Sequence, residues 1–264
     1  MRRLMNPIPG SAIRSMLTGL FLLSIFPVSG LGNGYETPLP DSEFSFVRMY
    51  YTSGNEYTGG HRYRNASTWR IDWPDAEHHF LQGLRWLTRV DAAPEGKMVS
   101  LLDDRVFDYP WLYAIEVGHW NLSDDEAMRL REYLLRGGFL MVDDFHGTRE
   151  WAGFMSSMER VFPDRQFIEI GTEDEVLHVF YDVDKKIQMH GLQYFYSGRT
   201  YEQDGYVPHW RGIYDEDGRL MVAINFNMDI GDAWEHADTP YYPQPMTALA
   251  YRFGVNYVIY AMTH

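Results

Sequence analysis

The sequence predicts an α/β fold, a three-layer α/β/α sandwich around a mostly parallel sheet, and three observations carry that expectation. Short apolar runs alternate with amphipathic helical segments between residues 44 and 170. The runs show no alternation of their own, as expected of strands covered on both faces. After residue 170 the pattern changes to a β-hairpin signal and then one long closing helix.

The elements follow in order. Residues 1–30 carry Arg2, Arg3 and Arg14, then the apolar run "MLTGLFLLSIFPV" and the small residues Val28 and Gly30, the layout of a secretory signal peptide. The run of 13 residues is short for a membrane span. Residues 31–43 are rich in Gly and Pro and read as a linker, so residues 44–264 form the expected single domain. "FSFVRMYYT" (44–52) is the first strand, and a turn-rich loop with His61, Arg62 and Arg64 follows it. "DWPDAEHHFLQGLRWLTRV" opens a helix at Pro74, with Asp75 and Glu77 at its positive end and Ala76, Phe80, Leu84 and Leu87 along one face.

"KMVSLLD", "WLYAIEVG" and "FLMVDD" read as buried strands. Between the last two, Ser123 and Glu126 form a capping box that starts a helix, and Gly137-Gly138 stop it. "REWAGFMSSMERVF" is the next helix and "QFIEIG" the next strand. "WRGIYDEDGRLMVAINFN" is a hairpin turning at Asp217-Gly218, and "PQPMTALAYRFGVNYVIYAM" is a helix with Met246, Leu249, Ala250, Phe253 and Tyr257 on one side.

Composition limits the function. The chain of 264 residues has 23 Lys and Arg against 37 Asp and Glu, a net charge of −14. Loss of residues 1–30 removes three arginines and no acid, which leaves −17. Nucleic acid and anionic lipid need a basic face and are excluded as main partners. There is no cysteine, hence no disulfide, thiol nucleophile or lipoprotein anchor, and no nucleotide-binding motif. The expected location is the periplasm or the cell exterior, with no stable membrane span once the signal is removed.

Open parallel sheets bind ligands beyond the carboxyl ends of their strands. Reading those ends gives Glu116 and His119, then Asp143, Asp144 and His146, as candidate catalytic residues. The late hairpin delivers Asn225, Asn227 and Asp229, and then an acidic run in which Asp229, Asp232, Glu235 and Asp238 recur every third residue. Asp229, Asp232 and Glu235 are the candidate ligands of a hard divalent cation such as Ca²⁺ or Mg²⁺. The EF-hand pattern fails here, because Ile230 and His236 stand where Gly and Glu are needed, and the scattered histidines give no zinc spacing. Two plainer readings stand beside these. Asp143 and Asp144 could cap the helix that begins near Thr148, and the acidic run could pair with Arg62, Arg64 or Arg70, or lie in solvent.

At "LLRGGFLMVDDFHG", "GRLMVAINFNMDIGDAWEHAD" and "YRFGVNYVIYAMTH" the chain resembles the bacterial domain-of-unknown-function family 4159, over about Phe44 to His264. The resemblance implies a flavodoxin-like sandwich of the class I glutamine amidotransferase-like superfamily. Amidotransferases use a Cys on a tight strand-to-helix turn; here that turn reads "VDDFHG", which puts Asp143, Asp144 or His146 near the place of the lost thiol. The resemblance carries no activity over. Two functions fit: an exported binding or assembly module whose partner is an envelope protein or glycan, and a metal-assisted hydrolase of an envelope glycan or peptide.

Overall fold

Apolar runs become central strands only where helices cover both faces, and two helical layers supply that cover. The computed structural model describes residues 42–52 and 68–264, within the compact unit Pro40–His264. The expected signal segment, residues 31–41 of the expected linker, and the loop with His61, Arg62 and Arg64 lie outside the described residues.

In chain order the elements are β1 (Val47–Tyr50), α1 (Asp75–Leu87), β2 (Lys97–Ser100), β3 (Trp111–Ile115), α2 (Asp124–Leu135), β4 (Phe139–Asp143) and α3 (Gly147–Val161). Then come β5 (Ile168–Glu169), the short α4 (Gln193–Ser197), β6 (His209–Tyr214), β7 (Leu220–Phe226), α5 (Ile230–Glu235) and α6 (Gln244–Thr263). One seven-stranded sheet has the order β2-β1-β3-β4-β7-β6-β5. Its first five strands run parallel, and β6 and β5 are added antiparallel. The parallel part repeats the doubly wound 2-1-3-4-5 order, which favours a site at the carboxyl end.

Alternation along the strands splits the core into two layers. Trp111, Tyr113, Phe139 and Met141 point to one face, against Phe80 of α1, Trp234 of α5 and Phe253 and Tyr257 of α6. Leu112, Ala114, Leu140 and Val142 point to the other, against Leu130 and Leu134 of α2 and Phe154 and Met158 of α3. The Ser123–Glu126 capping box forms as the sequence suggests. Deeper in α6, Asn256 is fully buried and brackets the Tyr181 backbone, accepting from its N–H at 2.8 Å and donating to its C=O at 2.8 Å.

Several expectations need correction. The parallel pattern does not extend to residue 170: β5 is a two-residue edge strand paired antiparallel to β6, because the chain after α3 turns outward rather than crossing back over the sheet. Of "KMVSLLD" only Lys97–Ser100 is strand, at the sheet edge with Val99 alone buried in it, and Leu101 beyond its end is the other buried residue. Leu87 is 46% exposed and lies off the packed face of α1. Among the described residues no helix is long and apolar enough to cross a membrane.

Candidate functional site

Three adjacent parallel strands, β3, β4 and β7, end in the same way. Each is followed by a residue other than glycine in the left-handed region: Glu116 at φ 52°, Asp144 at φ 49° and Asn227 at φ 63°. Such a conformation costs roughly 1–2 kcal/mol for a residue with a Cβ. Strain of this kind persists where surrounding bonds over-determine it, and it concentrates at functional sites. Here the Glu116 amide donates to the Asp144 carbonyl at 3.1 Å, the Asn227 amide to Phe145 at 3.0 Å, and the Gly147 amide to the Asn227 side chain at 2.8 Å. The other two such residues among those described are Asp72 (φ 62°) and Gln203 (φ 47°), and both reach the same end of the sheet.

The first constellation lies around α5. Asp229 is its N-cap and accepts from the Asp232 amide at 2.7 Å, so the three-residue beat of acids is a helix-capping pattern rather than a loop. The beat divides: Asp229 is buried, Asp232 nearly so, and the Asp238 side chain is 77% exposed. Oxygen atoms of Asp72, Asp229 and Asp232 lie within 4.8 Å of one another. Glu235 joins a neighbouring group with Asp232 and His236 instead. One oxygen of Asp72 (Oδ2) is sealed from solvent and has no hydrogen-bond partner among the described residues. Gly191 closes over the triad: a Cβ there would stand 2.6 Å from Asp229 Oδ2, 2.6 Å from Gln193 Oε1 and 2.8 Å from Asp232 Oδ2.

The second constellation joins β3 to α3. The His119 ring nitrogen Nε2 lies 3.3 Å from both Glu116 Oε2 and Glu150 Oε1. Glu150, one turn into α3, also accepts from the His146 amide at 2.5 Å and from the side chain of Gln203. His146 Nε2 lies 3.2 Å from Asp144 Oδ1.

Between the two constellations sits Asp143, fully buried. It does not cap α3, whose N-cap His146 makes no side-chain cap bond. Its Oδ2 accepts instead from the Ile230 and Gly231 amides of α5 at 2.8 and 2.9 Å, and from the Tyr113 hydroxyl at 3.2 Å. Asp143 therefore aligns α5 with the end of β4, and Asp144, one residue later on its left-handed turn, lies close enough to Asp72, Asp229 and Asp232 to act on them.

The electrostatics follow from crowding. Burial, and then repulsion from Asp72, Glu202 and Asp232, pushes the Asp144 carboxyl well above its usual range. Burial and Asp144 do the same to Asp229, and burial and Asp232 to Asp72. Burial raises Asp143 to about 7 despite its amide bonds. Glu116 rises through burial and the neighbouring Asp144 and Glu150. Burial would raise Glu150 too, but its bonds from His119 and His146 outweigh that and hold it low. Two carboxyls on one histidine are thus pushed apart, the usual arrangement of an acid and a base.

Glu116, His119, Asp144, His146, Asp229 and Asp232 therefore share one rim, with Asp143 as the strut beneath it. The sequence offered little sign of Asp72, Glu150 or Gln203. Asp72 stood out only as a residue before Pro74, and Glu150 only as an early helical acid. No arginine among the described residues bridges Asp229 or Asp232. Arg70 stacks on Trp69, and Arg48, fully buried in β1, pairs with Glu77 and the Trp69 and Ile71 carbonyls.

Fold and site together define a doubly wound α/β protein with a cluster of buried acids at the carboxyl end of its sheet. The chain belongs to the domain of unknown function family DUF4159, whose model matches residues 60–262 and so begins later than the resemblance at Phe44 implied. No curated protein matches the chain closely enough to serve as a relative.

Proposed function

We propose that the chain is an exported hydrolase of an envelope glycan or peptide, assisted by a hard divalent cation bound by Asp72, Asp229 and Asp232. The observation that carries this reading is the oxygen triad of those residues, which includes a sealed carboxylate oxygen with no hydrogen-bond partner among the described residues. Oxygen-only donors suit Ca²⁺ or Mg²⁺, whose charge would offset the crowded carboxylates. Asp144, on its left-handed turn, then takes the proton of an attacking water while the water oxygen bonds to the scissile atom. As the bond to the leaving group breaks, His119, oriented by Glu116 and Glu150, supplies that group's proton. The resemblance to amidotransferase-like domains implies Asp143, Asp144 or His146 near the turn where those enzymes carry a thiol, and the role of Asp144 agrees with that expectation.

A thermal melt tests the cation. At a hundred times its dissociation constant, a cation should stabilise the fold by about 2.7 kcal/mol. For a domain of this size that is a rise of about 5–10 °C in Tm. EDTA should reverse it and Asp229→Asn should abolish it. No shift with Mg²⁺, Ca²⁺ or Mn²⁺ would end this reading. Exposed rings at the rim favour a second reading, an exported binding or assembly module without catalysis; it is separated from the first by the absence of turnover on envelope glycans and peptides.

A further inference from the structure

Residues 191–207 form a strap along the acid-rich rim and connect both constellations. At one end the Leu192 amide donates to Asp232 Oδ2 at 2.6 Å. At the other, Gln203 bonds Glu150, and the Asp204 carboxylate accepts from the amide and hydroxyl of Thr148, each at 2.8 Å. In between, the Glu202 carboxylate is close enough to act on Asp144. A ligand that reaches Asp144 therefore meets this strap.

The strap and the neighbouring turn leave aromatic rings in water. Tyr196 is 84% exposed, and Tyr206 and Tyr241 are each 62% exposed. Tyr201 and Tyr206 stand 4.6 Å apart at 61°, and Tyr241 is propped by Phe195 at 5.4 Å. One exposed ring is unremarkable, but three around one rim form a recognition surface.

Its chemistry narrows the ligand. Anionic chains are disfavoured by the carboxylates of the rim, where the buried guanidinium of Arg48 is already engaged by Glu77. Polycations would meet the exposed Arg199 of the strap. Extended peptides that add a strand need a free sheet edge, and the edges here are β2 and β5, whereas β3, β4 and β7 have neighbours on both sides. A neutral polyhydroxylated chain remains: tyrosine faces take the apolar side of a sugar ring, and Gln193, Glu202 and Gln203 offer amide and carboxylate partners to its hydroxyls. Gln193 Nε2 is sealed from solvent and has no partner among the described residues.

We infer that the strap is the recognition element of the site and that its ligand is a neutral glycan. This rests on the proposed site for its location and not on the cation. The test is calorimetric titration of the full chain with neutral β-linked glucose and N-acetylglucosamine tetrasaccharides, a polyuronate and a lysine-rich peptide. Binding is expected to at least one neutral saccharide and not to the polyuronate. Tyr196→Ala and Tyr206→Ala should each weaken it by about three- to tenfold with Tm unchanged. Absence of neutral-saccharide binding, affinity indifferent to both tyrosines, or peptide binding lost in the same variants would overturn the inference. Saccharide binding that persists in EDTA and in Asp229→Asn, without any cation shift, removes the cation reading alone; a cation shift without saccharide binding removes the glycan alone.

Discussion

The buried pair Arg48–Glu77 gives the sharpest prediction about how the site is held. Both side chains are sealed, at 0% and 1% exposure. Burial would lower the Arg48 pKa, but the Glu77 carboxylate outweighs it and holds the group above its ordinary value. The guanidinium also donates to the carbonyls of Trp69 at 3.1 Å and Ile71 at 2.7 Å, so it fixes the segment that delivers Asp72 to the triad. Glu77→Ala leaves a buried cation without its counter-charge, at a cost of about 3–5 kcal/mol. In a domain of this size that lowers Tm by about 6–20 °C. Arg48→Met with Glu77→Leu removes both charges and should recover most of that loss, since apolar replacements of buried pairs are often neutral or better. The double variant should nevertheless lose the cation-dependent rise in Tm, because nothing then anchors residues 69–71. Chemical denaturation with and without Ca²⁺ measures both effects. A Glu77→Ala cost below about 1 kcal/mol, the scale of an exposed pair, would refute the reasoning.

Other outcomes follow from single contacts. Gly191→Ala would thrust a methyl among Asp229, Gln193 and Asp232 and should cut cation affinity at least tenfold, read by the Tm shift; Gly171→Ala, with open space around it and an ordinary φ, serves as the control. Asn256→Ala removes both bonds to the Tyr181 backbone and leaves those groups buried, costing about 2–4 kcal/mol in urea unfolding. Bonds from Thr148 hold the exposed Asp204 carboxyl below its usual 3.8, so its contribution is present above that pH and is lost as pH falls through the lower folded value. Asp204→Asn should therefore lower stability at neutral pH and flatten the acid limb of an unfolding titration, so that variant and parent converge below the folded pKa.

Much of the fold is legible because patterning is local. The capping box at Ser123, the hairpin at Asp217-Gly218 and the two-sided runs at Trp111–Ile115 and Phe139–Asp143 report burial through residue type alone. Strand direction at the edge is not local, so β5 could not be read as antiparallel before its partner β6 was placed. The site divides in the same way. Asp144, His146 and Asp229 follow strand ends directly, and the rule of the carboxyl end finds them. Asp72, Glu150 and Gln203 arrive from a turn, a helix and a strap, brought in by tertiary contacts with no motif of their own. The spacing of Asp229, Asp232 and Glu235 suggested one ligand set, but the helix splits it: Glu235 groups with Asp232 and His236, and Asp229 with Asp232 and Asp72.

The left-handed residues at 72, 116, 144, 203 and 227 carry a consequence for laboratory evolution. Glycine adopts that geometry freely, so exchange at any of these positions relieves local strain while discarding a side chain of the site. Selection of this scaffold for heat resistance alone should thus drift toward glycine at the rim. Libraries meant to keep the site competent should hold those codons fixed and seek robustness among the helices instead.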